Sequence, residues 1–402
     1  MTDRTVSSNI ATHLQTPADM RGFLDRLRVE RRLIRISHRV LPEPDVQSYC
    51  RAAAEIQRNA TALEFDNIHG FPGKRLVLNL LGSWSNCALL LGLSSSAPLQ
   101  DSIRELCRRA DCNSHLRPTW VERAPCYECA ESGEIDLFKL FPLFKMNESD
   151  AGIYLHRAYV VSEDSSTPIG SERMKIAAYS LQVLGRETLG LHVFATDNLN
   201  NHVAAAEKMN RRLPVAVCLG APPMVSVAAS AAIGYHVAQY DLISALSGHS
   251  LELARCPNTH LSVPANCEFV LEGYIDPRQD CCELKLTGER GGISDARNHR
   301  QITVTAISHR SNPILNNAYV GDGWTENDCV VGLCSALRIH RQKLEIVSEV
   351  ARSGCRAQGA HLRLEYCNLH KEKWEQAAVT QQYPQDLQEY RRQIELSRRD
   401  GN

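Results

Sequence analysis

Residues 247–293, around which the chain is organised, read SGHSLELARCPNTHLSVPANCEFVLEGYIDPRQDCCELKLTGERGGI. Within this stretch, LELAR and EFVLEGYI alternate or run apolar in the way that β-strands do. Pro-Asn at 257–258 and Pro-Ala-Asn at 264–266 mark turns beside them. The stretch therefore predicts strands of a sheet core, which lead after Pro277 into a loop.

Two carboxylates lie in that loop, Glu283 and Glu289, and Glu289 stands among Gly288, Gly291 and Gly292. Glycine lets the backbone come close to a ligand. A carboxyl group that is partly withdrawn from water has a raised pKa and can donate a proton near neutral pH. The loop is therefore a candidate acid site, although a solvated loop with two surface glutamates fits the same residues.

The same stretch resembles the core of the UbiD-type decarboxylases, through SLELARC, VPANCEFVLEGYI and the Gly-Glu pair at 288–289. The similarity is greatest to the fungal ferulic (phenacrylate) acid decarboxylases, and it includes TQQYPQDL at 380–387, which is similar to an NxSYP segment of the family. The resemblance implies non-oxidative removal of CO2 from an α,β-unsaturated or aromatic carboxylic acid, in a biosynthetic or specialised-metabolite pathway.

The resemblance also implies a cofactor and partners. The family uses prenylated FMN, whose phosphate is held through a divalent metal, manganese, by an Asn, a His and a Glu. An Arg and two Glu line the reacting face, and a glutamic acid protonates the carbon that has lost CO2. The flavin is the electron sink, while the protein supplies orientation and the proton. A flavin prenyltransferase as cofactor supplier and a homodimer are implied as well.

The family pattern transfers unevenly. Glu283 and Glu289 match its two glutamates, with one residue inserted between them. Its Asn-x-x-x-x-Arg strand falls on KIAAYS, which places Lys175 at the metal-binding Asn and Ser180 at the catalytic Arg. Without that Arg, we expect a buried Glu289 to be protonated more often, because no neighbouring positive charge lowers its pKa.

The other two metal positions are altered too, since the family's Gln-His pair falls on residues 196–198 and its metal-binding Glu falls on Gln239. The predicted site has no metal ligands and consists of two groups of residues. The catalytic residues are Glu283 and Glu289; the cofactor-binding residues are Lys175, Ala177, Ala178, Ser180, Asn198 and Gln239.

Several interpretations of these changes stay open. In the first, the ammonium of Lys175 replaces the metal as the partner of the flavin phosphate. In the second, the protein has lost cofactor and activity and acts as a scaffold or binding partner. In the third, His192, His202 or His236 supplies new metal ligands. A further possibility is a flavin-free lyase that works through the two glutamates alone.

Composition limits the other functions. The chain has 402 residues, 43% of them hydrophobic, which suits two or three domains. A net charge of −1 and the lack of a basic run with aromatics argue against nucleic-acid binding. Its 15 cysteines are scattered and follow no secretory signal, which favours reduced thiols in a cytoplasmic protein. Prolines interrupt the charge-free stretch at 213–240, so no membrane span is expected.

The order of predicted elements indicates an α+β, multi-domain protein. We expect an N-terminal α/β domain over 1–125 and a central flavin-binding domain, with a mixed, split-barrel-like sheet, over 126–325. A shortened C-terminal α/β region for oligomerisation follows over 326–402. The first helix is expected over ADMRGFLDRLRVE, with Thr16 and Pro17 at its start.

Overall fold

The computed structural model describes residues 16–56, 60–131, 133–147, 150–164, 173–193, 197–231, 237–279, 299–321 and 323–353, with side chains as far as residue 341. The described helices are α1 (Met20–Val29), α2 (Gln47–Ala54), α3 (Trp84–Leu90), α4 (Leu99–Cys112), α5 (Leu137–Leu140), α6 (Asn198–Lys208), α7 (Pro223–Ser230), α8 (Gln239–Ser247) and α9 (Glu326–Ser353). The described strands are β1 (Leu33–Ile36), β2 (Ala62–Phe65), β3 (Arg75–Leu78), β4 (Thr119–Trp120), β5 (Cys129–Ala130), β6 (Tyr154–Glu163), β7 (Met174–Gly185), β8 (Thr188–His192), β9 (Leu213–Leu219), β10 (Glu252–Arg255), β11 (Ser262–Pro264), β12 (Phe269–Ile275), β13 (His299–His309) and β14 (Ile314–Asn316).

The centre of the molecule is a closed barrel. Its strands follow the order β12-β9-β6-β7-β8-β13, and β12 also pairs with β13, so that the ladder returns to its start. Every pairing within it is antiparallel. The α+β class and the barrel-like centre predicted from the sequence are therefore confirmed, and parallel pairing is found in two smaller sheets, at β1–β2, β3–β14 and β4–β10.

Alternation along the barrel strands separates two faces. One set of side chains, with Tyr159 on β6 and Cys218 on β9, belongs to the core that includes α7 and α8. The next residues along the same strands, Val160 and Val217, belong to the other core. All six barrel strands contribute side chains to this second core, whereas only β6, β7, β9 and β12 contribute to the first. The second face therefore lines the interior of the barrel, and the first is the outer one.

A smaller sheet lies beside the barrel, in the order β1-β2-β3-β14. Its first three strands come from the N-terminal part of the chain, as the sequence pattern predicts. The fourth, β14, follows the last barrel strand and pairs in parallel with β3, Ile314 opposite Arg75. This pairing joins the beginning of the described chain to residues that follow the barrel.

The start of α1 differs from the prediction. The cap is Asp19, whose carboxylate accepts a hydrogen bond from the backbone N–H of Gly22, and the helix begins at Met20. Thr16 instead accepts a hydrogen bond from the buried guanidinium of Arg109 on α4. A charged acceptor binds the free N–H groups of a first turn more strongly than a hydroxyl does, so Asp19 takes the capping position.

Glu268 connects α1, the barrel and the smaller sheet. Its side chain is fully buried just before β12 and accepts two hydrogen bonds from Arg21 on α1, each of 2.8 Å. It also accepts one from the backbone N–H of Ile314 on β14, at 3.0 Å, and lies 3.6 Å from Arg310. Because a buried carboxylate is costly without such partners, this residue fixes how the three elements meet.

The charge-free stretch at 213–240 contains strand β9, the turn that follows it and helix α7, as predicted, and its residues 232–236 lie outside the described part. Within the described residues, no helix combines the length and the apolar character needed to cross a membrane. The described cysteines are free thiols, and those at positions 126, 218, 256 and 267 are fully buried. They pack as small apolar side chains.

We predict that Glu268→Gln lowers the free energy of unfolding by about 2 kcal/mol, because it removes the charge that two arginines share in a buried position. Urea unfolding followed by circular dichroism measures the change. The matched control is Glu252→Gln on β10, an exposed strand position whose carboxylate accepts a hydrogen bond from Asn266. Equal stability of the two variants would contradict the structural role of Glu268.

Candidate active site

The predicted catalytic residues Glu283 and Glu289 lie outside the described residues, between Gln279 and His299. The described chain on either side belongs to the barrel. Strand β12 ends at Ile275, and β13 starts at His299, which pairs with His192 at the end of β8.

Lys175 and Gln239, two of the residues that the resemblance assigns to cofactor binding, lie close together. The side chain of Lys175 is buried with 2% exposure, and its ammonium donates a hydrogen bond of 2.9 Å to the backbone oxygen of Val237, just before α8. The side-chain oxygen of Gln239, the first residue of α8, accepts a bond of 2.8 Å from the backbone N–H of Ile176. The structure thus brings two of the three altered metal positions to one place.

The third position, Asn198, opens α6 and lies one helical turn before His202. His202 is buried, and its Nδ1 is 2.8 Å from the hydroxyl of Ser162, the residue that faces Lys175 across the β6–β7 ladder. Burial lowers the pKa of His202 to about 4; the positive charge of Lys175 lowers it further, while Asp164 opposes the shift. These residues form a polar end of the barrel.

Among the described residues, one edge of β7 has no strand partner over half its length, and we call it the open edge. The strand pairs with β6 from Met174 onward, but its described pairing with β8 begins only at Gln182. The N–H of Ile176 points to that edge, where it meets Gln239. Since successive N–H groups of a strand alternate between its edges, those of Ala178 and Ser180 point the same way. Small, half-buried Ala177 and Ala178 leave room beside this edge for a flat ligand.

Ser180 forms a pair that the sequence did not reveal. Its hydroxyl is 3.1 Å from Nδ1 of His156 on β6, and the ring of His156 stacks on that of Tyr154, with centroids 5.3 Å apart. Burial, and secondarily the charge of Arg157, lowers the pKa of His156 to about 4. The imidazole is therefore neutral near pH 7. The side chain of Asn317 holds this part of β6. Its oxygen accepts a hydrogen bond from the backbone N–H of His156, and its nitrogen donates one to the backbone oxygen of Tyr154.

Arg157 is a second residue that sequence reasoning missed. It lies at an irregularity in β6, where the register with β7 shifts between Leu155 and Ala158. Its guanidinium is buried and pairs with Glu326, at the start of α9, at 3.1 Å. The signal was available in IYLHRAYVV, because two adjacent polar residues interrupt an otherwise apolar strand.

The histidines proposed as replacement metal ligands have other contacts. His192 packs edge to face against His299, with ring centroids 5.2 Å apart, and His202 pairs with Ser162. His236 lies outside the described residues. In the described part of the chain, no three or more His, Cys, Asp or Glu side chains come close enough together to hold a metal ion.

The fold, with its barrel and polar end, can now be compared with known proteins. Two family profiles match the chain: the 3-octaprenyl-4-hydroxybenzoate carboxy-lyase N-terminal domain, UbiD_N, over residues 24–106, and the Rift-related domain of the same enzymes, UbiD, over residues 119–323. Both describe carboxy-lyases. The class of protein is thus that of enzymes which remove a carboxyl group.

Two curated relatives agree. A phenolic acid decarboxylase from Sedimentibacter hydroxybenzoicus is 36% identical over 336 residues, which are 83% of this chain and 70% of that protein. A phenolic acid decarboxylase from Bacillus subtilis (strain 168) is 32% identical over 327 residues, 81% of this chain and 69% of the relative. The chain belongs to the UbiD family, and the predicted UbiD-like, non-oxidative carboxy-lyase is confirmed.

Solved structures give the same result. The closed form of the Sedimentibacter hydroxybenzoicus vanillic acid decarboxylase, ShVdcCD, superposes with a TM-score of 0.79 at 35% identity, covering 84% of this chain and 71% of that one. The evolved dimeric form of HmfF from Pelotomaculum thermopropionicum, in complex with prFMN, has a TM-score of 0.68 at 23% identity and covers 81% and 71%. The second likeness shows the shared fold alone.

The buried His202 predicts a pH dependence of stability. The pKa of His202 is about 4 in the folded protein against its ordinary value of 6.5, so well above pH 6.5 the residue is neutral in both the folded and the unfolded state. As the pH falls through this window, the unfolded state binds a proton that the folded state does not, and stability decreases. We expect His202→Gln to reduce the loss between about pH 7 and about pH 4.5 by about 2 kcal/mol.

Urea unfolding at the two pH values measures this difference. His115→Gln is the control, since His115 lies exposed after α4. The pH dependence of this control should match that of the unmodified protein. An equal loss of stability in all three proteins would show that His202 is not held neutral by burial.

Proposed function

We propose that the protein decarboxylates an aromatic carboxylic acid without oxidation, with a prenylated flavin mononucleotide held through Lys175 instead of a metal. The buried ammonium of Lys175, beside the open edge of β7, is the observation that carries the proposal. Family membership and the phenolic acid decarboxylases among the relatives support the reaction and the substrate class.

The residues at the end of the barrel fit such a cofactor. A lysine ammonium is a suitable partner for a phosphate, as a point charge with several donors. From Lys175 to Ser180 the strand advances about 17 Å, which leaves room for a ring system beyond the phosphate. Ala177 and Ala178, with the N–H groups on the open edge, are suited to contact the flat face and the polar rim of a flavin.

The same residues do not fit a divalent metal. The oxygen of Gln239 already accepts the N–H of Ile176, and an amide is a weaker ligand than a carboxylate. The ammonium of Lys175 would repel a cation placed beside it. Replacing a metal and its charged ligand by a lysine and a neutral glutamine keeps the local charge balanced when a phosphate binds.

When bound, a prenylated flavin supplies the electron sink for loss of CO2. The protein's own contribution is binding, orientation and a proton. Lys175 and Asn198 bind the phosphate end, and Ser180 lies beside the reacting ring. In this proposal Glu289 donates a proton to the carbon that has lost its carboxyl group, while Glu283 orients the acid. The apolar faces around the barrel exclude water from this proton transfer.

Assembly, organisation and location follow the same resemblance. We propose a homodimer in the cytoplasm that receives its cofactor from a flavin prenyltransferase. The division at residues 125 and 325 into an N-terminal domain, a barrel domain and a C-terminal oligomerisation region is part of this proposal. The match to the Sedimentibacter hydroxybenzoicus relative covers about 70% of the length of that relative. Assembly and location depend on the whole protein, so we state them as proposals.

One observation favours the alternative of a catalytically silent binding partner. The side chains of Lys175 and Gln239 are both bonded to the protein's own backbone. If these bonds persist, the site is closed by its own residues. The protein should be purified after co-expression with a flavin prenyltransferase and examined by absorbance and native mass spectrometry. One flavin per chain supports the enzyme, and none supports the binding partner.

Lys175→Met should lower flavin affinity by about tenfold or more, because it removes a charged partner of the phosphate from a buried position. Flavin content by absorbance and FMN binding by fluorescence measure the effect. Lys208→Met is the matched control, since Lys208 is an exposed lysine at the end of α6. If both variants bind flavin equally, Lys175 does not hold the phosphate.

Glu289→Gln should reduce kcat by about a hundredfold or more while flavin content stays constant, since the amide cannot donate the required proton. Release of CO2 from an aromatic acid by the flavin-loaded protein is the measurement. The exposed Glu252→Gln serves again as the control. Turnover that survives in Glu289→Gln would remove this residue from the reaction, whereas turnover without flavin would indicate the flavin-free lyase.

A further inference from the structure

Two buried polar atoms on the outer face of the barrel lack partners among the described residues. One is Nε2 of His156 on β6, and the other is the side-chain oxygen Oε1 of Gln182 on β7. Buried polar atoms are nearly always hydrogen-bonded, to protein, to ordered water or to a ligand. Two such atoms on adjacent strands therefore indicate a small polar site.

The ladder places these atoms on the same face. Tyr154 lies opposite Gln182, and Leu155 lies opposite Leu181, so His156 is level with Ser180. The two side chains are diagonal neighbours across the pair of strands, with a separation of about 7 Å between their positions. One small group between them can reach both.

Both side chains are fixed by their surroundings. His156 stacks on Tyr154, and its Nδ1 meets the hydroxyl of Ser180. The amide of Gln182 lies against Gly152, where a Cβ atom would be 2.2 Å from Nε2. A side chain at position 152 would displace the amide. These contacts hold the two side chains but leave His156 Nε2 and Gln182 Oε1 without a described hydrogen-bond partner.

The donor and acceptor pattern fits a hydroxyl group. When the Ser180 hydroxyl donates to Nδ1, the proton of the neutral imidazole is on Nε2, which then donates. Gln182 Oε1 accepts. A hydroxyl accepts from the first and donates to the second, whereas a carboxylate oxygen would face the oxygen of Gln182 without a proton between them.

We propose that His156 and Gln182 bind the ring hydroxyl of a phenolic acid substrate and so select hydroxylated over unsubstituted aromatic acids. This inference rests on the proposed function for the identity of the substrate. Ser180 is its positioning residue, because it holds the imidazole in the tautomer that donates from Nε2. Among the described residues, nothing else satisfies these two atoms.

The test uses the flavin-loaded protein and two aldehydes, 4-hydroxybenzaldehyde and benzaldehyde, which have no carboxyl group to lose. Calorimetry should give about tenfold tighter binding of the hydroxylated compound. His156→Phe keeps the stacked ring, and Gln182→Leu keeps the shape; both should bring the ratio of the two dissociation constants close to one. His249→Phe is the matched control, since His249 also has a buried Nε2 without a described partner, elsewhere in the molecule.

A second measurement uses the unsubstituted protein and so does not depend on whether a variant folds. In protein labelled with 15N-histidine, the Nε2 resonance of His156 should shift with 4-hydroxybenzaldehyde and stay in place with benzaldehyde. An unmoved resonance, or a ratio unchanged in both variants, overturns the inference and leaves water as the partner of the two atoms. Separate assays of CO2 release from 4-hydroxybenzoate and benzoate test the reaction. Selective binding without any turnover would contradict the proposed function alone.

Discussion

Closure of the barrel by the β12–β13 ladder is the constraint on which the rest of the structure depends. Seven register pairs, from Phe269–His309 to Ile275–Ile302, join the two strands and leave no free edge between them. The closed ladder fixes which residues of β6 and β7 face outward, because a slip by one residue would reverse the faces. Within the closed barrel, the register between β6 and β7 places Lys175 opposite Ser162 and His156 beside Ser180.

Much of this fold could be predicted from periodicity alone. The strands of the barrel and the helices α6, α7 and α8 appear where apolar alternation and turn residues place them. Lys175 and Gln239, which the resemblance assigns to one cofactor site, lie close together. The remaining contacts depend on residues distant in sequence. Arg21 and Glu268 are 247 positions apart, so no local sequence pattern could predict their ion pair. The short strand β14 carries too few residues for periodicity to identify it.

The strand beside Ser180 carries a buried arginine. At the position where the resemblance leads us to expect an arginine, this chain has Ser180, and an arginine is buried on the adjacent strand at position 157. That guanidinium is bound to Glu326, whose other oxygen accepts the backbone N–H of Leu81. Glu326 at the start of α9 therefore connects Arg157 on β6 with Leu81 in the N-terminal part of the chain. The resemblance predicts the change at position 180, while the buried arginine beside it lies at the irregularity in the register of β6.

The position of β14 has a consequence for synthesis of the protein. Strands β1, β2 and β3 leave the ribosome early, but the partner of β3 follows only after the whole barrel has been translated. During that interval β3, which pairs with β2 on one side, leaves its other edge unpaired, and such an edge is a template for association with other chains. Contacts between such distant parts of a chain also form slowly. Chaperone dependence during expression, and aggregation of fragments that end before residue 314, are the expected costs of this connection.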